Sequence, residues 1–319
     1  MKALRLASGG LSVANVSRPE SDTECLVRVV RSGICSTDLE IIRGYAGFEG
    51  TLGHEFAGVV EESRESPSLV GCRVVGEINV GCRNCAACAT GDERHCPFRT
   101  VLGIKGRDGA HAEFLRLPAR NLVGIPPNVS DEEAVFVEPL AAAFGITEQV
   151  AVDADTKVAV IGDGKLGILC ARSLILNSKN VALIGKHREK LALAEKSGVE
   201  GILAGQTAKL ASAFDVVVES SGSESGFAAA LDLVRPRGKI VLKSTFHGKP
   251  AWEAWRVVVD EITIVGSRCG RFAPAIDLLA EKRIEVTDLI SDQFHIDDGL
   301  RAISRAGERG VLKVMLNMS

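Results

Sequence analysis

VAVIGDGKLG, at residues 158–167, joins an apolar strand to the spacing Gly162-x-Gly164-x-x-Gly167. Apolar residues continue behind it at helical spacing, so the pattern predicts a helix that begins directly after the strand. Gly162 makes the tight turn, Gly164 lets the backbone approach a pyrophosphate, and Gly167 allows close packing of helix on strand. The unpaired N–H groups at the start of the helix then face the phosphates. The residues predicted to contact a dinucleotide here are Gly162, Gly164, Lys165, Leu166 and Gly167.

Apolar strands alternate with helical patterns after about residue 140, which indicates a parallel sheet covered by helices on both faces. The predicted strands are 158–161, 181–184, 215–219, 239–242 and 262–265. The predicted helices are 166–176, 188–197, 226–233 and 273–282. The first 135 residues are instead strand-rich and irregular, with predicted strands at 26–31 and 56–60. The chain therefore combines two kinds of architecture.

The end of the second parallel strand predicts which dinucleotide binds. It reads VALIGKHREKL at residues 181–191 and places Gly185 where an acidic residue would bind the ribose 2′-OH of NAD(H). Lys186, His187 and Arg188 follow directly, and cations after a glycine favour a 2′-phosphate. We therefore predict NADP(H) over NAD(H). The alternative is a solvated basic turn at the start of a surface helix.

Polar residues follow the next two strands and are placed to touch the same cofactor, although Ser and Gly after a strand are also ordinary turn formers. The residues concerned are Ser220, Ser221, Gly222, Lys243, Ser244 and Thr245.

Four of the nine cysteines fall in one run, GCRNCAACATGDERHC, at residues 81–96. Their x2, x2, x7 spacing lets four thiolates converge on one tetrahedral Zn²⁺, and four protein ligands leave no open position. The run therefore predicts a structural zinc held by Cys82, Cys85, Cys88 and Cys96. The alternative is four free thiols in a loop. The odd total of cysteines argues against a disulfide framework.

A second metal constellation is suggested by GICSTDLE around Cys35, GHEFAGVV around His54, and VFVEPLAAAFG around Glu138. Taken singly, such a Cys or His is more often a structural residue. A carboxylate in the apolar run at Glu138 is costly unless something such as a metal compensates it. Three ligands at Cys35, His54 and Glu138 would leave a fourth position open, as catalytic zinc requires.

These motifs occur together and in order along the chain: GHEFAGVV, the four-cysteine run, EPLAAA and the glycine spacing. In this combination the sequence resembles the zinc-dependent medium-chain dehydrogenase/reductase family of alcohol, polyol and threonine dehydrogenases. The resemblance implies an α/β chain with a chaperonin-10-like, mostly-β catalytic domain and a doubly wound parallel-sheet Rossmann domain. The catalytic domain would comprise 1–138 and 269–319, and the NADP-binding domain 139–268.

The resemblance also implies roles for single residues. Cys35, His54 and Glu138 match the catalytic zinc ligands, and Glu55 matches an acid behind the metal that can itself join the ligands. Asp38 would orient His54, and Thr37 would take the alcohol proton. Two further positions are Lys313, which matches a basic residue on the cofactor phosphates, and Glu40, which replaces the relay His of many alcohol dehydrogenases. The proton route therefore stays open between Glu40, the cofactor ribose and water.

The activity implied is hydride transfer between an alcohol or carbonyl substrate and NADP(H), with two zinc ions per chain. The substrate classes are polyols, sugars, amino alcohols and secondary alcohols. One alternative is an NADPH-dependent double-bond reductase on the same fold, whose members usually lack the catalytic ligands. The other is a non-catalytic NADP(H)-binding protein, for which an open metal position would serve no purpose.

Composition limits the partners. The chain has 38 Lys+Arg against 41 Asp+Glu, so it has no net positive charge that would attract nucleic acid. No run of about 18 apolar residues predicts a membrane span, and the start of the chain lacks the apolar segment of a signal peptide. We expect a cytoplasmic homodimer or homotetramer, with organellar import left open. His111, His247 and His295 are interpreted as structural or surface residues.

Overall fold

The computed structural model describes residues 1–244 and 253–318. Thr245 and His247 lie outside the described residues. Two compact units divide the chain: the first contains Met1–Glu138 and the residues from Ile276 onward, and the second contains Pro139–Ala275. The second unit therefore ends a few residues later than the boundary of 268 expected from the sequence. Helix formation across this point, at Phe272–Ala280, explains why no loop marks the boundary.

The strands among the described residues are β1 Lys2–Ala7, β2 Gly10–Asn15, β3 Cys25–Ile34, β4 Gly50–Thr51, β5 Glu55–Glu62, β6 Arg73–Gly76, β7 Asn79–Val80, β8 Thr100–Val101, β9 Phe114–Leu117, β10 Leu122–Gly124, β11 Lys157–Ile161, β12 Asn180–Gly185, β13 Glu200–Leu203, β14 Phe214–Glu219, β15 Val234–Leu242, β16 Thr263–Gly266, β17 Ile290–His295 and β18 Lys313–Asn317. The α-helices are α1 Ser36–Ile42, α2 Ala86–Ala89, α3 Asp131–Val135, α4 Val137–Phe144, α5 Ile146–Gln149, α6 Lys165–Leu174, α7 Arg188–Glu195, α8 Glu224–Leu233, α9 Ala254–Val259, α10 Phe272–Ala280 and α11 Gly299–Ala306.

The first unit is built around strand β3, which pairs with β5, β18 and β9, all antiparallel. The sheet runs in the order β10-β6-β5-β3-β18-β17, and separate small sheets are formed by β2-β1-β4 and β7-β8. β3 has the sequence CLVRVVRSGI, in which Val27 and Val29 point into the core while Arg28 between them is only half-buried. Alternation of this kind suits an antiparallel strand with one buried face.

The second unit is a six-stranded parallel sheet in the order β13-β12-β11-β14-β15-β16. Its inner strands are apolar along their length: Val158, Ala159 and Val160 of β11 are all fully buried. Helices α6, α7 and α8 lie between these strands in the chain, as crossovers between parallel strands require. The expected α/β class with a Rossmann sheet and a second mostly-β part is confirmed.

Every described helix is too short or too polar to cross a membrane.

Candidate metal and dinucleotide sites

Three neighbouring strands bring the candidate metal residues to one end of the first unit's sheet. β3 ends at Ile34, and Cys35 follows as the residue before helix α1. Strand register places Gly33 opposite Glu55, the first residue of β5, and Ile34 opposite Val314, the second residue of β18. Residues from distant sequence positions therefore meet at the carboxyl-terminal end of β3.

The metal-binding atoms of Cys35, His54 and Glu55 all lie within 4.8 Å of one another. His54 and Glu55 are buried, and Cys35 is half-buried. Thiolate, imidazole and carboxylate are ligands that Zn²⁺ takes in proteins, so the donor set fits that ion. Glu138, the third ligand expected from sequence, is half-buried in the first turn of α4 and is not in this cluster. Glu55 is in the cluster because it begins β5 directly after His54.

Asp38 lies behind the cluster and organises it. Its Oδ2 accepts from the Cys35 backbone N–H at 2.8 Å, and its Oδ1 accepts from the Gly53 N–H at 3.2 Å. The Oδ1 atom also lies 3.5 Å from Nδ1 of His54. Burial alone would raise the pKa of Asp38, but His54 and His111 outweigh burial and hold that pKa well below its usual range. The carboxylate is therefore ionised and leaves Nε2 of His54 for a metal.

His111, which the sequence interprets as a structural or surface residue, lies behind the candidate metal residues and faces Asp38. It is fully buried, its Nδ1 lies 2.8 Å from the Ser32 hydroxyl, and its Nε2 lies 3.5 Å from Asp38. It also packs so closely against Gly53 that a Cβ there would meet the ring at 2.5 Å. No local pattern in the sequence around His111 points to Asp38, because 73 positions separate the two residues.

Thr37 and Glu40 occupy the first helix of the first unit, α1. The hydroxyl of Thr37 lies 3.7 Å from the Cys35 sulfur, so it faces the cluster. Glu40 pairs with Arg43 one turn further along, at 2.6 Å. The carboxylate of Glu40 is therefore held by the residue that directly follows its helix.

Lys313 and Glu55 form an ion pair in which neither side chain is exposed. The Lys313 ammonium also lies 5.3 Å from the centre of the Phe136 ring. Burial lowers the pKa of Lys313 to about 8. The sequence had suggested that Lys313 contacts cofactor phosphates, whereas the structure directs its ammonium to the carboxylate of the metal cluster. The first residue of β18 is buried against β3, which gives the ammonium no exposed face.

The four-cysteine run closes into a compact knot around helix α2. All four sulfurs lie within 4.8 Å of one another, and those of Cys85 and Cys96 are 3.7 Å apart. Sulfurs at the corners of a tetrahedron around Zn²⁺ are separated by about 3.8 Å, so the set fits the ion. The Cys82 amide donates to the Cys96 sulfur and lowers the pKa of that thiol to about 7. Burial raises the pKa of Cys88 to about 12, and a bound cation would favour the thiolate form of all four side chains.

The glycine turn of the second unit is shaped as its spacing predicts. Gly162 has φ +111°, and a Cβ on Gly167 would lie 1.8 Å from the Gly162 carbonyl oxygen. A Cβ on Gly164 would meet nothing within 4 Å, so the loop is open where a pyrophosphate would approach. Helix α6 begins at Lys165 and its first N–H groups have no side-chain cap. This cradle fits a dinucleotide phosphate.

The residues after the other parallel strands are placed differently from one another. Gly185 ends β12, and the exposed Lys186 and Arg188 follow it, with Arg188 paired to Glu195. Lys243 is buried and its ammonium donates to the carbonyl of Ala142 and to two further oxygens, so it is engaged inside the second unit rather than held toward a cofactor. The Ser220 hydroxyl donates to the Ile161 carbonyl, and Ser244 Oγ accepts from the Gly222 amide.

Comparison with known families assigns the class. Residues 21–127 match the alcohol dehydrogenase GroES-like domain, and residues 164–281 match the zinc-binding dehydrogenase family. The chain belongs to the zinc-dependent medium-chain dehydrogenase family and is an oxidoreductase of the alcohol dehydrogenase type.

Individual relatives agree with this class along nearly the whole chain. The sequence is 27% identical over 310 residues to sorbitol dehydrogenase of Halalkalibacterium halodurans, covering 91% of this chain and 90% of that protein. A zinc-binding dehydrogenase of Sinorhizobium meliloti 1021 bound to NADP superposes with a TM-score of 0.91 at 29% identity, covering 99% and 98% of the two chains. A short chain alcohol dehydrogenase (rspB) of Escherichia coli CFT073 complexed with NADH gives 0.92 at 28%, covering 100% and 99%.

Proposed function

We propose that this chain transfers hydride between an alcohol or carbonyl substrate and NADP(H) at a zinc site. The substrate class we propose comprises polyols, sugars, amino alcohols and secondary alcohols, in line with the similarity to a sorbitol dehydrogenase. The observation that carries the proposal is the convergence of Cys35, His54 and Glu55 within 4.8 Å. Three protein ligands leave one position for a substrate oxygen, whereas the four-cysteine knot is closed.

When bound, zinc supplies Lewis-acid polarisation of the substrate oxygen, and the nicotinamide supplies or accepts the hydride. Asp38 fixes the Cys35 backbone and the orientation of the His54 ring, because it binds or faces both. Thr37 Oγ1, 3.7 Å from the Cys35 sulfur, takes the proton that an alcohol loses on oxidation. From Thr37 the proton leaves through Glu40, the cofactor ribose or water. In the reductive direction the same hydroxyl returns a proton to the carbonyl oxygen.

The third zinc ligand is proposed to be Glu55, with Glu138 as the alternative. Glu55 lies in the cluster but is paired with Lys313, so zinc and the ammonium compete for its carboxylate. The variants Glu55→Gln and Glu138→Gln distinguish the two candidates. In a metal-buffered titration, the variant that lacks the real ligand should bind the zinc at Cys35 and His54 more weakly. Equal retention by both variants would contradict a carboxylate ligand.

For the cofactor we propose NADP(H) over NAD(H). Gly185 ends β12 without a carboxylate of its own, and the exposed Lys186 and Arg188 follow it. Positive charge at this position favours a 2′-phosphate. Because zinc–thiolate sites need reduced cysteines, we also propose a cytoplasmic location. As a separate proposal, the protein assembles from two or four chains.

The decisive experiment replaces Cys35 with Ser. The variant should lose one of two zinc ions, measured by elemental mass spectrometry, and its alcohol oxidation should fall at least about a hundredfold. Its NADPH dissociation constant should stay unchanged, since Cys35 is remote in sequence from the glycine turn. Cys72→Ser is the matched control, because Cys72 is an exposed thiol outside both clusters. Undiminished activity of Cys35→Ser would overturn the proposal, and enone reduction without bound zinc would favour the double-bond reductase.

A further inference from the structure

Asp163 occupies the middle of the glycine turn, and sheet pairing brings it next to the end of the neighbouring strand. β11 and β12 run parallel with Ile161 opposite Ile184, and the Gly162 amide donates to the Ile184 carbonyl at 2.9 Å. The side chain of Asp163 therefore crosses from the end of β11 to the end of β12. Only 12% of it is exposed.

The carboxylate of Asp163 fills the space that a side chain at Gly185 would need. A Cβ built on Gly185 would lie 2.5 Å from both Cβ and Oδ2 of Asp163. In dinucleotide-binding folds the residue at this strand end is the acid that binds the ribose 2′-OH. Here the strand carries no acid, and the neighbouring loop supplies a carboxylate to nearly the same point.

Three donors hold this carboxylate in place. The backbone N–H groups of Lys186 and His187 donate to Oδ2 at 2.6 and 2.7 Å, and His187 Nδ1 lies 3.0 Å from the same atom. Burial would raise the pKa of Asp163, but the two amides and the imidazole outweigh burial and lower that pKa. Among the described residues, none of the hydrogen bonds uses Oδ1, which leaves an acceptor for a ribose hydroxyl.

We infer that Asp163 is a specificity-determining residue that limits the preference for NADP(H) and keeps NAD(H) acceptable. This inference rests on the proposed dinucleotide binding. Two opposed features meet at one point: the cations of Lys186 and Arg188 attract a 2′-phosphate, and the fixed carboxylate repels it. The amides of Lys186 and His187, which would suit a phosphate oxygen, are already taken by Oδ2.

The test measures dissociation constants for NADPH and NADH by fluorescence titration, and for 2′,5′-ADP and AMP by calorimetry. Asp163→Asn keeps an oxygen acceptor for the two amides while removing the charge. We expect it to raise the NADPH-to-NADH affinity ratio about tenfold, and the 2′,5′-ADP-to-AMP ratio similarly. Glu200→Gln is the matched control, since Glu200 is an exposed carboxylate at the opposite, amino-terminal end of β13. Its ratios should equal those of the wild type.

The double variant D163G/G185D moves the carboxylate onto the strand and clears the space that Asp163 fills. We expect it to bind NADH and to disfavour NADPH more strongly than the wild type does. An unchanged or lowered ratio in Asp163→Asn, or a double variant that prefers NADPH, would overturn the inference. Wild-type protein that binds neither dinucleotide would overturn the proposed function as well. Binding that shifts as expected without alcohol oxidation would leave the inference standing and refute only the proposed activity.

Discussion

At the scale of single residues, Gly33 explains how a charged pair fits inside the first unit. A Cβ on Gly33 would lie 2.6 Å from Glu55 Oε2 and 2.9 Å from Lys313 Nζ. The missing side chain thus provides the room in which these two groups meet beside the metal cluster. The pair places a buried carboxylate beside a buried ammonium, so that each charge compensates the other.

Removing the cation of this pair should be costly. Lys313→Met leaves the buried Glu55 carboxylate without its ammonium, so we expect a loss of about 3–5 kcal/mol in the free energy of unfolding. Urea unfolding of chelator-treated protein measures it. Adding Glu55→Gln should restore most of the loss, since the double variant buries no charge at either position. Equal stability of Lys313→Met and wild type would show that the pair carries no such energy.

At the scale of elements, the start of helix α3 shows how local sequence fixes a backbone position near the site. Ser130 accepts from the Glu133 amide at 3.2 Å, and Glu133 accepts from the Ser130 amide at 2.8 Å. Lys282 adds an ion pair to Glu133 at 2.7 Å. The reciprocal capping fixes the start of α3, and the Lys282 ion pair joins it to the chain segment that returns to the first unit.

Breaking this cap should cost a measurable amount of stability. Ser130→Ala is expected to lower the free energy of unfolding by about 1 kcal/mol. Ser66→Ala is the control, because Ser66 precedes a short 3₁₀ turn without a side-chain cap. Urea unfolding of the three proteins at pH 7 compares them. A loss as large in Ser66→Ala would assign the effect to serine replacement in general.

The same cap predicts a pH dependence. Burial would raise the pKa of Glu133, but Lys282 and Ser130 outweigh burial and lower that pKa from its usual value. A carboxyl whose pKa is lower when folded contributes stability above its unfolded pKa and loses it as the pH falls through the folded value. The stability difference between wild type and Glu133→Gln should therefore be present at neutral pH and shrink below about pH 4.5. A difference that stays constant to pH 3 would contradict it.

The sequence predicts the second unit better than the site of the first. The predicted strands agree with β11, β12 and β14 to within two residues at each end, because short apolar runs that alternate with helical patterns indicate a buried parallel sheet. β13 was missed, since its four residues EGIL are too short and too exposed to show a pattern. Helix α6 ends at Leu174, two residues before its predicted end.

Long-range pairing is what the sequence could not give for the site. Glu55 stood next to His54 in the motif and was recognised as a possible ligand, but only strand register shows it opposite Gly33 with Lys313 beside it. Lys243 was expected to reach the cofactor and is held by the Ala142 carbonyl, a partner 101 positions away. In the glycine motif Asp163 is only a variable position. Its contact with Gly185 depends on the parallel pairing of two strands.

At the scale of the whole molecule, the two units carry separate determinants, and variants should separate their effects. Cys96 is fully buried in the first unit's knot, and serine cannot replace a thiolate on zinc. Cys96→Ser should therefore lose one zinc and lower the melting temperature, with the NADPH dissociation constant unchanged. Gly167→Ala should do the reverse, because its methyl group would lie 1.8 Å from the Gly162 carbonyl and distort the phosphate turn. It should keep both zinc ions and weaken NADPH binding at least about tenfold.

Gly205→Ala is the control for the second variant, since a Cβ at Gly205 meets nothing within 4 Å and the position lies outside the turn. Elemental analysis for zinc and fluorescence titration with NADPH on the same preparations give both readouts. We expect the two effects to be separate because the changes are in different units. The lost ligand in Cys96→Ser disturbs the four-cysteine knot, and the added methyl group in Gly167→Ala disturbs the glycine turn at the end of a parallel strand. Loss of zinc in Gly167→Ala, or of NADPH binding in Cys96→Ser, would mean that the two units fold as one cooperative structure.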